Sequence, residues 1–146
     1  MFESGAIVLH IAGRSAALAP EDAAGRARVA SWVLAAVNSM EPHIEELAGL
    51  DVFHAGEAWV EGRRPQAAAM VERRLSRLAA WLGDRDYLEG RFTAGDLMMT
   101  TVLRILKHTD IVAGDPRLAA YVGRCTARPA FGRAFDAQIG DFKKAA

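Results

Sequence analysis

RFTAGDLMM, residues 91–99, holds the strongest local signal in the chain. Thr93 has the side chain of a helix N-cap, and Asp96, three residues on, can accept from the Thr93 backbone N–H in return. The pair is a capping box with Asp in the place of Glu or Gln. Phe92 just before the cap and Leu97 at the fourth helical position are spaced for a hydrophobic staple. The helix that this device opens, Ala94 to about Thr109, carries Leu97, Met98, Met99, Val102, Leu103, Ile105 and Leu106 on nearly every side. A helix apolar all the way round belongs in the middle of a bundle, not on its surface. The expectation is an all-α fold, a helical bundle around a buried central helix starting near Thr93.

The flanking segments support the same class. No run alternates with period two for long, and no Asn-Gly or Asp-Gly hairpin signal is present, whereas helical spacing dominates. Ser4 to about Ala12 reads as a first helix, capped by Ser4 and ended by Gly13. Residues 16–40, AALAPEDAAGRARVASWVLAAVNSM, read as a second helix with Pro20 in its first turn. Glu21 and Asp22 suit its positive end, and Val29, Trp32, Val33, Ala36, Val37 and Met40 form its apolar stripe. Pro42 should kink or divide it, with His43–Leu50 continuing for two turns. Residues 51–64, with Gly56, Gly62 and the Arg63-Arg64 pair, read as a connection. A third long helix runs from about Pro65 to Leu82, burying Ala69, Val71, Leu75, Leu78, Ala79 and Leu82. Two further helices, near Pro116–Ala127 and Pro129–Ile139, each open on a proline suited to a first turn. The tail GDFKKAA, residues 140–146, reads as frayed.

The totals bound the function. With 146 residues, 51% of them hydrophobic and 25% charged, the chain has enough apolar material for one well-packed domain. Lys+Arg and Asp+Glu balance at 18 each, which removes any electrostatic argument for nucleic acid or an anionic membrane surface. The single cysteine, Cys125, excludes an intramolecular disulfide and fits a reducing, cytoplasmic setting. Ala6–Ala12 is interrupted by His10, is too short to span a bilayer, and follows no basic n-region, so no targeting segment is expected. Richness in Ala, Arg and Gly points to a GC-rich bacterial genome.

Few residues are arranged for chemistry. His10, His43, His54 and His108 are scattered without ligand spacing, and no metal site is expected. Glu45 and Glu46 are adjacent and point apart on a helix. Cys125, between Arg124 and Arg128, reads as a packed thiol rather than a nucleophile. Arg63, Arg64, Arg73, Arg74 and Arg77 lie among Glu61 and Glu72 and read as a solvated helix face. Met98, Met99 and the three tryptophans read as core. No Gly-rich phosphate loop and no G-x-S-x-G elbow is present. More interesting are Thr101, Arg104 and His108, which recur at three- and four-residue spacing on the central helix. Polar groups on a mostly buried helix meet either solvent or a ligand cleft. In the second case Asn38 and Glu41 of the second helix are candidates for the opposite wall of a co-substrate pocket.

Four stretches together resemble one family, the glutathione transferases. ESGAI, residues 3–7, is similar to the Glu/Gln-Ser-x-Ala-Ile turn that leads into the last helix of the family's thioredoxin-like domain. GRARVASWVLAAVNSMEP, residues 25–42, resembles the long first helix of the all-α C-terminal domain. DYLEGRFTAGDLMMTTVLRIL, residues 86–106, resembles the Tyr-Leu-x-Gly and Phe-Thr-x-Ala-Asp signature, with Gly95 where Ala is usual. ARPAFGRAF, residues 127–135, resembles a later Arg-Pro-Ala-Phe segment.

The resemblance implies that residues 1–14 are a remnant of the thioredoxin-like domain and residues 15–146 the all-α C-terminal domain. It places Glu3 and Ser4 at the positions that hold the γ-glutamyl end of glutathione. Thr93 and Asp96 take a structural part, and no position matches the thiol-activating residue, so no catalytic residue is assigned. The implied role is the wall of a hydrophobic co-substrate pocket plus dimer contacts, for conjugation of glutathione to an apolar electrophile in detoxification. Glutathione is then a co-substrate of the complete protein, no cofactor is tightly bound, and the chain alone is inactive. A cytoplasmic homodimer without nucleic-acid or membrane partners follows. Ile7, Val8 and Ile11 are expected to lack the sheet on which this helix packs in the family, leaving it mobile, packed elsewhere or self-associating. The alternative is a non-enzymatic protein–protein interaction module, as similar domains serve in translation factors and multisynthetase assemblies. A ligand-binding bundle of unrelated history is a third.

Overall fold

The computed structural model describes residues 1–145, and among them there is no strand. Seven α-helices follow in order: α1 (Ser4–Ala12), α2 (Ala23–Leu34), α3 (Glu41–Val52), α4 (Ala58–Leu82), α5 (Ala94–Leu103), α6 (Pro116–Thr126) and α7 (Pro129–Ala145). A π-helical turn, Ala35–Met40, joins α2 to α3, and a 3-10 turn, Arg104–His108, extends α5. The central position belongs to α5, which packs on α1, α2, α3, α6 and the π turn. It buries Ala94, Met98, Met99, Val102 and Leu103, and the turn after it buries Leu106. The all-α bundle around a buried helix that begins at Thr93 is therefore the fold of this chain.

Helices α5 and α2 approach closely. A Cβ built at Gly95 would lie 2.7 Å from Trp32 Cβ, so only glycine lets the two helices come this near. At the start of α2, Asp22 accepts from the Gly25 N–H at 2.7 Å as its cap. Pro20 lies ahead of the helix, not in its first turn, and its ring fills the space where a Gly25 side chain would be. At the other end the Glu41 N–H bonds to Ala36 O, five residues back. Pro42 has no N–H to give Asn38, and its ring would strike that carbonyl. A widened turn just ahead of the proline absorbs both, so the helix is divided by a π turn and α3 then runs on to Val52.

Three boundaries differ from those read in the sequence. Residues 58–64, expected in a connection, form the first two turns of α4, and Pro65 lies inside that helix rather than at its start. An interior proline costs about 3 kcal/mol, and tertiary contacts offset it. Val60 is buried, Arg63 pairs with Glu46, and Arg64 pairs with Asp51. Ala67 takes the buried place expected of Ala69, which is half-buried. The segment Gly140–Ala145, expected to fray, continues α7 (residue 146 of that expectation lies outside the described residues). Ser4 is the first residue of α1 rather than its cap, which is Glu3.

Tryptophans are not core here: Trp59 and Trp81 are exposed, and Trp32 only leans on the core while tilting against Trp81 at 5.2 Å. Helix α1 does pack, through Gly5, Val8, Leu9 and Ala12. Val8 therefore finds partners, while Ile7 and Ile11 face outward, 38% and 52% exposed.

Candidate functional site

Asp96 organises the centre. Its Oδ2 accepts from the Thr93 N–H at 2.8 Å and the Thr93 hydroxyl at 3.0 Å. Its Oδ1 accepts from the Leu88 N–H at 2.9 Å and the Tyr121 hydroxyl at 3.1 Å. One buried carboxylate thus ties the 88–93 loop, the start of α5 and the middle of α6. Burial pushes its pKa up against the pull of those four donors, and burial beside this carboxylate pushes the Tyr121 phenol up as well. Every donor is internal, so Asp96 is scaffold and has no lone pair left for a ligand.

That scaffold holds open a groove of about 470 Å³ between α5 and α7. Its walls are apolar, formed by Leu18, Phe92, Leu97, Ala130, Phe131 and Phe135. Arg104 crosses it with its guanidinium carbon 4.7 Å from the Phe131 ring centre and 5.4 Å from that of Phe135. The two rings stack at 6.0 Å and 9°. Arg128 lies over Phe92 at 3.8 Å, and Phe92 meets Tyr87 edge-on at 5.8 Å. Phe92 and Leu97, the pair spaced for a staple, both line this groove, and Leu97 remains 37% exposed. Thr101 is spent on its own helix, donating to Leu97 O at 2.8 Å. Thr100 lines the groove from a position only 3% exposed, with its hydroxyl beside the Tyr121 phenol and the Cys125 thiol. Cys125 also lines it. Burial raises the Cys125 pKa, which keeps the sulfur a packed thiol.

His108 belongs to a different place. Its Nε2 is 3.3 Å from Asp51 Oδ2 and its Nδ1 3.1 Å from Ile105 O, in an open cleft of about 680 Å³ beside Arg64, Glu72 and Asp110. Arg64 clamps the same carboxylate, Nε to Oδ1 at 2.6 Å and Nη2 to Oδ2 at 3.0 Å. The guanidinium and then the imidazole hold the Asp51 carboxyl below its usual range. The expected pocket of Asn38, Glu41, Thr101, Arg104 and His108 is therefore not assembled. After Leu103 the backbone tightens to three residues per turn, which carries His108 about a third of a turn away from Arg104. Asn38 is exposed on the π turn, and Glu41, whose carboxyl is pushed up by burial and by Glu45, lines neither cleft. Conversely, Phe131, Phe135 and Arg128 were not read as site residues. Their signal was present in ARPAFGRAF, where two phenylalanines four apart mark one face of a helix.

Glu3 and Ser4 stand at the exposed start of α1. Glu3 has φ 68° and ψ 115°, left-handed backbone that costs a non-glycine residue on the order of 1–3 kcal/mol. No side chain caps α1, so the N–H groups of its first turn have no side-chain acceptor. Among the described residues no cluster of three or more His, Cys, Asp or Glu could hold a metal ion, and no helix is long and apolar enough to cross a membrane.

A seven-helix bundle with a capping-box helix at its centre and an apolar groove along it defines a structural class, and solved structures share it. A glutathione transferase from Burkholderia graminis, with two glutathione molecules bound per subunit, matches at TM-score 0.85 and 28% identity, over 93% of this chain and 60% of that one. A glutathione transferase from Pseudomonas putida, with one glutathione disulfide bound per subunit, matches at TM-score 0.82 and 22% identity, over 91% and 60%. The nitrogen regulation fragment of the yeast prion protein Ure2p matches at TM-score 0.75 and 21% identity, over 92% and 66%. No protein-family model and no curated protein matches the chain. These likenesses agree with the family resemblance and with the expected fold: the chain has the all-α bundle of the glutathione transferase C-terminal domain. It spans 60% of the length of the two transferases just described.

Proposed function

We propose that this chain is the helical part of a glutathione transferase-like protein and that its α5–α7 groove receives the apolar electrophile to which glutathione is conjugated. The observation that carries this reading is the groove itself, about 470 Å³ of mostly apolar wall on a glutathione transferase bundle. That volume lies in the range of small-molecule sites, roughly 300–1,000 Å³. The α1 start contributes the other half. Its free N–H groups and the Ser4 hydroxyl suit the γ-glutamyl carboxylate, and the Glu3 carboxylate suits the ammonium. The strained backbone at Glu3 supports a binding role, because such strain concentrates at ligand clamps. Conjugation also needs glutathione held as a thiolate by a hydrogen bond or positive field aimed at sulfur. With Cys125 a packed thiol and Asp96 fully bonded, no group is assigned that task, so the chain alone binds and orients but does not activate. The complete protein acts as a cytoplasmic homodimer in detoxification.

The test is direct. Pure 146-residue chain should not conjugate glutathione to an aromatic halide above the uncatalysed rate, yet should bind the halide, and Phe131→Ala should weaken that binding. Conjugation by the chain alone overturns the division of labour, and binding indifferent to Phe131 overturns the groove.

A second reading, a non-enzymatic protein–protein interaction module, is favoured by exposed apolar side chains on α1, Ile7 and Ile11, and by Phe2 just ahead of it. It gains if the chain binds no small apolar ligand in the groove.

A further inference from the structure

We propose that His108, Asp51 and Arg64 form a proton-operated clasp on the end of the central helix. With a hydrogen on both ring nitrogens, His108 ties the 3-10 turn to α3, and loss of one hydrogen releases the turn. The clasp lies in the cleft beside that turn, apart from the α5–α7 groove, and does not depend on the reading given for the groove.

His108 is the last residue of the 3-10 turn, and its ring sits between two oxygens. Nδ1 is 3.1 Å from the Ile105 carbonyl oxygen and Nε2 is 3.3 Å from Asp51 Oδ2. A carbonyl and a carboxylate only accept, so each contact needs a hydrogen on the nitrogen that makes it. Neutral imidazole carries one such hydrogen and imidazolium carries two. The neutral ring therefore keeps one contact and turns a lone pair on the other oxygen. Ile105 is three residues away in the same turn, so its contact is local, whereas Asp51 belongs to another helix. The contact that neutral His108 gives up is the one across the cleft.

Asp51 is a fixed partner for this exchange. Arg64 grips it with Nε at 2.6 Å and Nη2 at 3.0 Å, and the two cations hold its carboxyl below the usual range. The Asp51 side chain is only 12% exposed and that of His108 28%, so water screens the pair incompletely. Glu72 of α4 and Asp110 after the turn line the same cleft, and the turn itself carries Lys107 and Arg104, the latter lying on Phe131. From α5 comes only Asp96, which is bonded to Leu88, Thr93 and Tyr121. Among these side-chain types only histidine ordinarily changes charge between about pH 5 and 8.

The backbone gives the clasp something to hold. Residues Arg104–His108 wind more tightly than the helix they extend, with the poorer hydrogen-bond geometry of a 3-10 turn. An α-helical pitch over the same residues would rotate His108 about the helix axis and break its contact with Asp51. The tight pitch and the ion pair thus support each other, and a 3-10 stretch continuing a helix often marks a hinge. When His108 becomes neutral the pitch loses that support.

The experiment is nuclear magnetic resonance on the full chain labelled with nitrogen-15, at about pH 5.5 and about pH 8.5, either side of the ordinary histidine range. Ring spectra should show hydrogens on both His108 nitrogens at the lower pH and on Nδ1 alone at the higher. Amide exchange, expressed as protection factors so that the intrinsic effect of pH drops out, reads the turn. The pair stabilises the turn where the ring is charged, so protection of the amides from residue 104 to 109 should fall as pH rises. A fall of roughly two- to fivefold is expected, the worth of a partly exposed ion pair. His108→Gln keeps a donor but never titrates, and should flatten this profile. Asp51→Asn, which leaves no carboxylate for the charged ring, should flatten it too. Amides at the start of α5, held by Asp96, should show no such change in any of the three proteins. One hydrogen on the His108 ring at the lower pH overturns the clasp. Equal protection of the turn at both pH values, or a profile that survives His108→Gln, also overturns it. The ring spectra and wild-type exchange decide the matter even if a variant fails to fold.

Discussion

Two arginine-bearing clefts flank the central helix, and the chain has treated them in opposite ways. Beside the 3-10 turn, Arg64 and His108 close on Asp51, so the charges are spent inside the protein. Between α5 and α7, Arg104 and Arg128 lie on phenylalanine rings with no carboxylate beside them. The first arrangement joins α3, α4 and the end of the central helix. The second lays Arg104, just after α5, on the Phe131 and Phe135 rings of α7, and Arg128 on the Phe92 ring. Size alone would rank the two clefts wrongly, because the larger one, about 680 Å³, is the open gap around a satisfied ion pair.

Mutations can test this contrast, and the largest effect should come from the buried carboxylate that fixes the start of the central helix. Asp96→Ala leaves the Thr93 and Leu88 N–H groups and the Tyr121 hydroxyl buried without an acceptor. A loss of about 3–5 kcal/mol is expected, read as a fall in the urea midpoint, and both clefts should be disordered together. A change under 1 kcal/mol would mean that α5 is held mainly by apolar packing. Gly95→Ala comes next, at about 1–3 kcal/mol, because the new methyl meets Trp32 at 2.7 Å. The family pattern has Ala at this position, so the cost measures how far α2 and α5 have closed here.

The comparison itself is tested by one substitution on each side. Asp51→Asn should cost about 1 kcal/mol at neutral pH, for a pair whose arginine is partly exposed. The sign follows from linkage. The folded-state pKa of Asp51 is depressed, so its stabilisation is present above the unfolded pKa of about 3.9 and disappears as pH falls through the lower folded value. Urea titrations between pH 2 and pH 6 should show wild type losing stability in acid more steeply than Asp51→Asn. Arg104→Gln, the smallest effect, should change stability by less than about 0.5–1 kcal/mol, the worth of an exposed cation–π contact. Should Arg104→Gln prove as costly as Asp51→Asn, the groove arginine would be structural and the contrast would collapse.

The legible parts of the fold were those governed by contacts a few residues apart. Thr93 and Asp96 are one helical turn from each other, so their reciprocal bonding follows from backbone geometry alone. Pro116 and Pro129 open their helices for the same local reason. Pro65 misled because its local preference was outweighed by Arg63, Arg64 and Val60, whose partners lie on α3 and in the core. The grouping of Thr101, Arg104 and His108 failed because the helix changes pitch after Leu103.

By itself the sequence determined an all-helical bundle, its central helix and its likeness to the glutathione transferase C-terminal domain, because caps and hydrophobic periodicity act within a turn or two of chain. Which polar residues share a cleft was settled only by tertiary structure. Leu18, Leu97 with Arg104, and Arg128 with Phe131 come from three separate stretches of chain, and it is the placement of α7 across α5 that brings two arginines without an ion pair to one apolar groove.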